Sequence, residues 1–265
     1  MGDTFPKFRA AAVQAAPVFL NREATVDKAC SLIAEAARAG ANLIVFPEVF
    51  LPAYPYWTRL ENPFQSTASF VELVKNAVEV PSPTSARLCG AARQAGAYVV
   101  IGINERPSNT LGTLYNTNLV IGPDGDILLK HRKLMPTFAE KMVWGFGDGS
   151  TLRVLDTALG KLGTLICGEN ANPLARFALI AQGEQVHVSN YPALHGGDAG
   201  GYDFGKEVEL RGATHAFEGK VFNIVVSAVI DQSVIAKVAD TEDKRRAMAG
   251  PCKSFTGIFA PGGRL

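Results

Sequence analysis

The stretch Leu165-Ile-Cys-Gly-Glu-Asn-Ala-Asn-Pro-Leu174 places one cysteine, Cys167, between an apolar strand and a turn that opens a helix. Gly168 permits a sharp backbone turn, and Asn172 followed by Pro173 is typical of a helix N-cap and first helical position. Such an elbow leaves backbone N–H groups free beside the thiol, and a positive charge or a base nearby would favour the thiolate. A buried cysteine is more often structural than catalytic, so the elbow alone leaves both interpretations open.

Strand-like and helix-like segments alternate on both sides of this elbow, which predicts a mixed α/β fold with helices on the sheet faces. The predicted strands cover residues 8–15, 42–46, 98–103, 114–121, 127–130, 151–155, 162–166, 186–189 and 221–229, and the predicted helices cover 23–39, 84–94, 173–182 and 203–219. The turn Gly122-Pro-Asp-Gly125 joins two of these strands into a predicted β-hairpin.

Composition limits the classes of function. The chain has 265 residues, 47% of them hydrophobic and 19% charged, so we expect one globular domain over residues 1–265. A net charge of +1 with no long basic run disfavours nucleic acid and anionic membranes as partners and favours a small neutral substrate. The first ten residues hold no apolar signal core, and residues 221–230 are too short to span a bilayer, so a cytoplasmic location is expected.

The cysteines and histidines predict neither a disulfide framework nor a metal site. The four cysteines are Cys30, Cys89, Cys167 and Cys252, and the four histidines are His131, His187, His195 and His215. No Cys-x-x-Cys pair occurs, and no histidine has a metal-type partner at the usual spacing. Cys30 lies on the apolar face of a predicted helix and Cys89 lies beside another such face, which indicates core packing for both.

Glu48 follows the apolar strand 42–46 within the segment Phe46-Pro-Glu-Val-Phe50. Pro47 ends regular strand pairing, so Glu48 is expected at the carboxyl end of a strand, where α/β folds bind ligands. Burial among apolar and aromatic neighbours would raise its pKa toward the working range of a general base. The alternative is a glutamate in a surface loop, which this apolar context makes less favoured.

Lys133 also follows a predicted strand, in the basic segment Lys130-His-Arg-Lys-Leu134. Basic runs are usually solvated surface, but the position after the strand 127–130 favours a site residue. An ammonium group could stabilise negative charge on a substrate heteroatom, and Glu140 in the loop beyond could hold that lysine or position the substrate. His131 is expected to pack or hydrogen-bond rather than to catalyse.

With these three segments in this order, the chain resembles the nitrilase superfamily, and specifically its nitrilase branch. That family is recognised by a glutamate, a lysine and a cysteine at three separate strand ends, which Glu48, Lys133 and Cys167 match, while Glu140 corresponds to the second family glutamate. The resemblance covers essentially the whole chain. It implies a four-layer α-β-β-α sandwich and a homodimer or larger homo-oligomer that pairs through helices on one face.

Two departures from the family pattern affect the expectations. The residue after the family cysteine is commonly tryptophan, whereas this chain has Gly168, which bears on local packing and on substrate preference. Residues 254–263 resemble the strand and turn at 118–125, yet the chain ends at Leu265, where a return strand would begin. We therefore expect a domain that lacks C-terminal strands and a tail and that leaves one sheet edge unpaired.

The resemblance implies hydrolysis of an organic nitrile to a carboxylic acid and ammonia without a metal or organic cofactor. Catalysis would fall to Glu48, Lys133 and Cys167 through a thioimidate and a thioester on Cys167, with Glu140 in support. Aromatic residues near the motifs suggest a pocket for an aryl or arylalkyl nitrile, although core packing or a subunit interface accounts for them equally well. The predicted substrate-binding residues are Tyr54, Trp57, Phe138, Trp144, Gly168, His187 and Tyr191, of which His187 and Tyr191 are expected just after the strand 186–189, with a structural role favoured for His187.

Three alternatives stay open on the sequence. An amidase of the same superfamily would use the same three residues and the same thioester. A nitrile-hydrating enzyme differs only in which group the tetrahedral intermediate expels. A catalytically silent or weakly active scaffold is the third, because of the short C-terminus, although the intact glutamate, lysine and cysteine argue against it.

Overall fold

Two five-stranded sheets with helices on their outer faces make up the computed structural model, which describes residues 5–195, 203–250 and 252–265. The predictions for the first four residues and for the Cys252 side chain lie outside the described residues. The strands are β1 (Ala10–Ala12), β2 (Leu43–Val45), β3 (Tyr98–Glu105), β4 (Tyr115–Ile121), β5 (Ile127–Arg132), β6 (Leu155–Thr157), β7 (Gly160–Ile166), β8 (Val186–Tyr191), β9 (Leu194–His195), β10 (Phe222–Ser227), β11 (Cys252–Lys253) and β12 (Gly257–Phe259).

The helices lie between the strands in the sequence. They are α1 (Arg22–Arg38), α2 (Thr67–Asn76), α3 (Pro83–Ala95), α4 (Pro173–Ile180), α5 (Phe204–Gly219), α6 (Gln232–Val238) and α7 (Glu242–Ala247). Short 3₁₀ helices cover Tyr56–Arg59, Pro63–Gln65, Phe138–Met142, Gly149–Thr151 and Cys167–Ala171.

The first sheet has the strand order β1-β2-β3-β4-β5, and the second has the order β12-β10-β8-β7-β6. In each sheet three strands run parallel, namely β1, β2 and β3 in the first and β7, β8 and β10 in the second. Parallel strands are covered on both faces, which explains why every residue of β2, β3 and β8 is buried. A short antiparallel ribbon pairs β9 with β11.

Alternate residues of the strands build apolar layers between the sheets and on their outer faces. Between the sheets, Val45 and Val100 from one sheet lie in the same cluster as Val188 and Val226 from the other. On the outer face of the first sheet, α1 and α3 pack their apolar stripes against β2, β3 and β4. Leu179 of α4 covers Leu165 of β7 on the far side. The four-layer α-β-β-α sandwich predicted from the sequence is therefore confirmed.

Helix ends follow the expected local chemistry. Asn21 caps α1 by accepting a hydrogen bond from the backbone N–H of Ala24, at 3.0 Å. Gly96 ends α3 in the left-handed conformation, with φ of 59°. The predicted N-cap of α4 is confirmed as well, since the Asn172 side chain accepts from the backbone N–H groups of Leu174 and Ala175.

The predicted strand over residues 151–155 is wrong. Residues Gly149–Thr151 form a 3₁₀ turn, and the strand β6 begins only at Leu155. The cause is local, because the Asp148 side chain accepts a hydrogen bond from the Ser150 backbone N–H and stabilises a turn. The helices α2, α6 and α7 were not predicted. In α2 only Leu73 is fully buried, and α6 and α7 are only 7 and 6 residues long.

The C-terminal segment contains a strand and a turn, as its likeness to residues 118–125 predicts. Strand β12 pairs antiparallel with β10 and is the outermost strand of the second sheet, and a turn at 260–264 follows it.

None of the helices in the described ranges combines the length and the apolar character needed to cross a bilayer.

Candidate active site

The carboxyl ends of β2, β5 and β7 bring three side chains of the predicted site to one region. Lys133 and Cys167 each come directly after the last residue of their strand, and Glu48 follows β2 by three residues. All three are almost completely shielded from solvent, with exposures of 1%, 1% and 6% for Glu48, Lys133 and Cys167. Residues that are far apart in the chain thus meet because the carboxyl ends of their strands lie in one region.

The Lys133 ammonium lies between two carboxylates. Its Nζ donates to Glu48 Oε1 and to Glu140 Oε2, each at 2.7 Å. Asn116 Nδ2 donates to the same Glu48 oxygen at 2.6 Å, whereas Glu48 Oε2 has no hydrogen-bond partner among the described residues. The group therefore holds one cation, two acids and one buried carboxylate oxygen that is left over to accept a proton.

Burial and charge set the protonation of this group. Burial raises the pKa of Glu48 to about 7, with Lys133 opposing and Glu140 reinforcing the shift. Burial by itself would lower the pKa of Lys133, but the charges of Glu48, Cys167 and Glu140 outweigh it and hold the pKa well above its usual range. Near neutral pH, Glu48 can thus either take or give a proton while Lys133 stays charged.

The Cys167 thiol is protonated at rest. Burial raises its pKa well above the usual range, the Glu48 carboxylate raises it further, and the Lys133 ammonium only partly offsets both effects. The ammonium was expected to favour the thiolate and burial to oppose it, and burial prevails. A base must therefore remove the thiol proton before the sulfur can attack.

The elbow turns at a different residue from the one predicted. Cys167 itself has φ of 48°, in the left-handed region that costs a non-glycine residue about 1–3 kcal/mol. Gly168, which was expected to make the turn, has no such φ; what requires glycine there is space, since a Cβ would lie 2.8 Å from Thr137 Oγ1. Strained backbone of this kind clusters at functional sites.

Glu169 ties the elbow to the strand that carries Lys133. Its carboxylate accepts from the backbone N–H of Ile166 at 2.7 Å and from that of Leu134 at 2.6 Å. His131 Nε2 also lies 3.1 Å from the carboxylate, and His131 Nδ1 lies 3.0 Å from Thr151 Oγ1. His131 therefore packs and hydrogen-bonds, as predicted.

Glu140 is held from two further sides. The Tyr54 hydroxyl donates to Glu140 Oε1 at 2.9 Å, and the Thr137 backbone N–H donates to Oε2 at 2.7 Å. Trp144 lies beside this arrangement, with its ring centroid 5.9 Å from Lys133 Nζ. The ring nitrogen of Trp144 donates to Asn104 Oδ1 at 2.8 Å, which fixes the plane of the indole.

The other predicted pocket residues divide into two groups. Tyr54, Trp57, Trp144 and Tyr191 are buried in the same apolar cluster as Cys167. Trp57 packs edge-on against Phe19, with centroids 6.2 Å apart. Phe138 lies apart from the cluster and is 83% exposed, on a backbone with φ of 48°. Tyr191 is the last residue of β8, which extends two residues beyond the predicted end.

His187 does not lie where the sequence placed it. It is the second residue of β8 rather than a residue beyond the strand end, and it is fully buried. Side chains alternate along a strand, so His187 points to the face covered by α5, where His215 stacks on it with centroids 3.8 Å apart. At this position His187 contacts Glu184 and Asn170 as well as His215.

Glu184, His187 and His215 bring a carboxylate and two ring nitrogens within 4.8 Å of one another, which raises the question of a metal. His187 Nδ1 lies 2.6 Å from Glu184 Oε1, and His215 Nε2 lies 2.9 Å from Glu184 Oε2. Two ligands of one tetrahedral zinc ion, bound at about 2.1 Å, would be about 3.4 Å apart. The arrangement fits a network of shared protons better than a metal centre.

Sequence reasoning missed several residues that hold the site. Asn116 and Asn104 lie inside strands, and no local signal marks the partners that they reach. Gly102 lies against the segment of Glu48, since a Cβ there would be 2.2 Å from the Val49 backbone nitrogen. Gly147 lies likewise against Arg132 and Lys133, where a Cβ would be 2.3 Å from the Arg132 carbonyl oxygen. A polar residue within an otherwise apolar strand was the one signal available for the two asparagines.

Comparison with known proteins adds the family to this geometry. Residues 9–250 match the family model described as carbon-nitrogen hydrolase. "Nitrilase 3" of an unknown prokaryotic organism is 42% identical over 260 residues, which span 97% of this chain and 76% of that protein. An aliphatic nitrilase of Rhodococcus rhodochrous is 38% identical, over 97% of this chain and 70% of that protein. An arylacetonitrilase of Hypocrea virens is 36% identical, over 97% of this chain and 77% of that protein.

Solved structures share the fold. A carbon-nitrogen hydrolase from Helicobacter pylori superposes with a TM-score of 0.72 at 20% identity, covering 96% of this chain and 83% of that one. A double mutant of the amidase from Nesterenkonia, in complex with acrylamide, superposes with a TM-score of 0.70 at 17% identity, covering 99% and 87%.

Proposed function

Since the chain belongs to the carbon-nitrogen hydrolase family, we propose that it is a nitrilase that hydrolyses an organic nitrile to a carboxylic acid and ammonia. The observation that carries this proposal is the buried Lys133 ammonium between Glu48 and Glu140, whose charges act on the Cys167 thiol. The relatives named as nitrilases support it over nearly the full length of the chain. A nucleophile, a base and a cation are the groups that addition to a carbon-nitrogen triple bond requires.

The first step forms a carbon–sulfur bond. Glu48 takes the proton of Cys167 as the sulfur attacks the nitrile carbon, and one carbon–nitrogen π bond becomes the lone pair of the nitrogen. Glu48 returns the proton to that nitrogen, giving a thioimidate. Lys133 and the backbone N–H of Gly168 would stabilise the charge that grows on the nitrogen, which is the role of an oxyanion hole in acyl transfer.

Two water molecules complete the reaction. Glu48 removes a proton from the first water as the oxygen adds to the thioimidate carbon, and passes that proton to the nitrogen. Glu48 then transfers the hydroxyl proton of the tetrahedral adduct to the nitrogen as the carbon–nitrogen bond breaks, so ammonia leaves and a thioester remains on Cys167. The second water hydrolyses the thioester, releases the acid and restores the thiol. Glu140 keeps Lys133 in place throughout, because it binds the ammonium directly and is itself held by Tyr54 and by the Thr137 N–H.

For the substrate we propose an aryl or arylalkyl nitrile. Tyr54, Trp57, Trp144 and Tyr191 share an apolar cluster with Cys167, and such a lining suits a flat apolar group. The relatives include proteins named aliphatic nitrilase and proteins named arylacetonitrilase, so the aromatic cluster is what favours the aryl class here.

A panel of benzonitriles, arylacetonitriles and aliphatic nitriles, each paired with its amide, tests the activity and the substrate class. We expect equal amounts of ammonia and acid from nitriles and the highest kcat/KM for an aryl or arylalkyl member. Turnover of amides alone would overturn the nitrilase proposal in favour of an amidase. Accumulation of amide from nitriles would indicate that the intermediate expels the thiol instead of ammonia.

We further propose that the protein is a cytoplasmic homo-oligomer that pairs through α4 and α5, and that its described residues fold as one domain around the cluster between the sheets. The outer faces of these two helices expose Leu174, Phe177, Leu210 and Phe217. Exposed apolar side chains on adjacent helices are typical of a protein interface.

Light scattering after size exclusion tests the assembly. We expect Phe177→Glu to lower the mass to that of one chain. The matched control is Leu111→Lys, which changes an even more exposed apolar residue in the loop before β4 and should leave the mass unchanged. A wild-type mass of about 28 kDa would exclude the oligomer under those conditions.

A further inference from the structure

A buried chain of polar side chains runs from α5 to the elbow of Cys167. His215 Nε2 lies 2.9 Å from Glu184 Oε2, and Glu184 Oε1 lies 2.6 Å from His187 Nδ1. His187 Nε2 then lies 2.9 Å from Asn170 Oδ1, and Asn170 Nδ2 donates to the carbonyl oxygen of Cys167 at 3.2 Å. All these residues are buried, and α5, β8, the loop before β8 and the turn after β7 each contribute.

The partners of Asn170 fix the direction of its amide. Its nitrogen donates to the carbonyl oxygens of both Leu165 and Cys167, at 3.1 and 3.2 Å. Its oxygen therefore faces His187 and also accepts from Ser189 Oγ at 2.8 Å. It follows that His187 Nε2 must carry a proton and donate it to Asn170, because the oxygen of an amide can only accept.

The proton between Glu184 and His187 follows from burial. Burial raises the pKa of Glu184, and burial together with the Arg176 charge lowers the pKa of His187 to about 3. His187 Nε2 already carries a proton, so the 2.6 Å contact between His187 Nδ1 and Glu184 Oε1 needs one more proton between these two atoms. Because the pKa of the carboxyl group is raised and that of the ring is lowered, this proton rests on Glu184, whose O–H donates to His187 Nδ1. His215 Nε2 in turn donates to the remaining Glu184 oxygen.

The two carbonyl groups that Asn170 binds flank the strained residue. Leu165 precedes Ile166 at the end of β7, and the Cys167 carbonyl belongs to the residue with φ of 48°. On the opposite side of the same turn, Glu169 binds the Ile166 N–H. Hydrogen bonds at both flanks over-determine a conformation that a free chain would avoid.

We propose that Asn170 is a positioning residue for Cys167, and that the hydrogen-bonded pair of Glu184 and His187 keeps the Asn170 amide turned toward the elbow. This inference rests on the proposed function for its meaning in catalysis, because only a nucleophile needs its sulfur aimed. Gly163 belongs to the same device, since a Cβ there would lie 1.8 Å from Glu184 Oε1 and would displace the carboxyl group.

The decisive variant is Asn170→Asp, which keeps the size of the side chain but replaces both N–H donors with a carboxylate oxygen. We expect kcat to fall about a hundredfold, with a much smaller change in KM, because the sulfur is no longer held in its orientation while the aromatic residues around it are unchanged. The second readout is the rate at which iodoacetamide alkylates Cys167, followed by peptide mass spectrometry to distinguish it from Cys30, Cys89 and Cys252. It should fall in parallel with kcat, and it needs no nitrile substrate.

Two changes at Glu184 test the support of Asn170. In Glu184→Gln the amide can still donate to His187 and accept from His215, so kcat and the alkylation rate should stay within about threefold of wild type. In Glu184→Met the size is kept but both hydrogen bonds are lost, and both rates should fall roughly tenfold. This difference between conservative and apolar replacement separates positioning from simple filling of space.

Thr164→Val provides the structural control. Thr164 is buried in the same strand as the elbow, but its hydroxyl accepts from Asn118 between the sheets. We expect a lower melting temperature with kcat and alkylation rate unchanged. The proposal is overturned if folded Asn170→Asp is alkylated at the wild-type rate, or if Glu184→Gln is as slow as Glu184→Met. If wild type hydrolyses no nitrile while the alkylation differences persist, the proposed function fails and the positioning role stands.

Discussion

Two buried groups of ionisable side chains lie within one fold, and they behave in opposite ways. In the proposed catalytic group, which consists of Glu48, Lys133 and Glu140, the Lys133 ammonium is charged between the two carboxyl groups. In the histidine group, Glu184 bridges His187 and His215, whose rings have far lower pKa values than the Lys133 ammonium. Burial is nearly complete in both, so burial does not distinguish them.

Charge balance makes the difference. With one ammonium and two carboxyl groups, the catalytic group has a pKa of about 7 at Glu48 and can exchange a proton near neutral pH. In the histidine group burial lowers both histidine pKa values, to about 3 and about 4, so its protons stay where they are. Protons that do not exchange near neutral pH keep a hydrogen-bond network in one arrangement, whereas a proton that exchanges there can take part in catalysis. The chain contains one group of each kind.

The largest expected effect is that of Cys167→Ala, which removes the atom that the catalytic group is proposed to activate. We expect nitrile turnover to fall at least about 1,000-fold, with the melting temperature nearly unchanged. Ammonia release and a thermal melt measure the two quantities. Turnover that survives this change would mean that Cys167 is not the nucleophile and that the catalytic group does not act by activating it.

The next effect is that of Lys133→Met, which removes the cation and leaves two buried carboxyl groups without it. Breaking a buried ion pair from one side costs about 3–5 kcal/mol of unfolding free energy, and turnover should be lost as well. Urea unfolding measures the stability loss. The contrasting change is Glu184→Gln in the histidine group, where the amide can keep the hydrogen bonds to both histidines and a smaller loss is expected. Equal losses would contradict the distinction drawn between the two groups.

Below pH 7, kcat/KM should fall with an apparent midpoint of about 7, because Glu48 must be ionised to take the thiol proton. The Asn116 hydrogen bond lowers the pKa of Glu48, so Asn116→Ala should move the midpoint upward. Glu184→Gln should leave the midpoint in place. A pH–rate profile over pH 5–9 for the three proteins checks the direction. A midpoint that moves in Glu184→Gln but not in Asn116→Ala would show that the titrating proton does not belong to Glu48.

The smallest effect concerns stability in mild acid. The folded-state pKa values of His187 and His215 lie below the ordinary 6.5, so the unfolded chain binds more protons and stability falls as pH drops from about 6.5 toward 4. The raised pKa values of Glu48 and Glu184 act in the opposite sense, and the Arg176 charge further disfavours protonation of both histidines. Replacing His215 with Gln should therefore reduce the fall between pH 7 and pH 5. Urea midpoints at the two pH values measure it, and an unchanged difference would count against it.

Local patterns were sufficient to propose Glu48, Lys133 and Cys167, because each is a reactive side chain at or just beyond the predicted end of a strand. The alternation of strands and helices gave a mixed α/β fold, since strands that are buried on both faces leave continuous apolar segments, whereas the four layers came from the family resemblance. Glu140 was proposed from its place in the loop after Lys133, and the family resemblance agreed with it.

What the sequence could not give depends on contacts over long separations. Asn116 meets Glu48 across 68 positions in the chain, and His187 meets His215 through a helix that packs only after folding. The error at His187 had an available correction, because Val186 and Val188 on either side of it face the other sheet and strand alternation puts His187 on the helix side. The turn at Cys167 was assigned to its glycine neighbour because glycine is the usual residue there.

Gly102 and Gly147 carry a consequence for anyone who wishes to change what this protein accepts. The clashes that a Cβ would make at both positions are with backbone atoms, which cannot swing aside as the end of a side chain can. The spacing between Glu48 and Lys133 thus depends on the absence of a Cβ at both glycines, whereas preference for a substrate would depend on Trp57 and Tyr191. A mutational library can randomise these two aromatic residues and should keep both glycines, and also Tyr54, which holds Glu140.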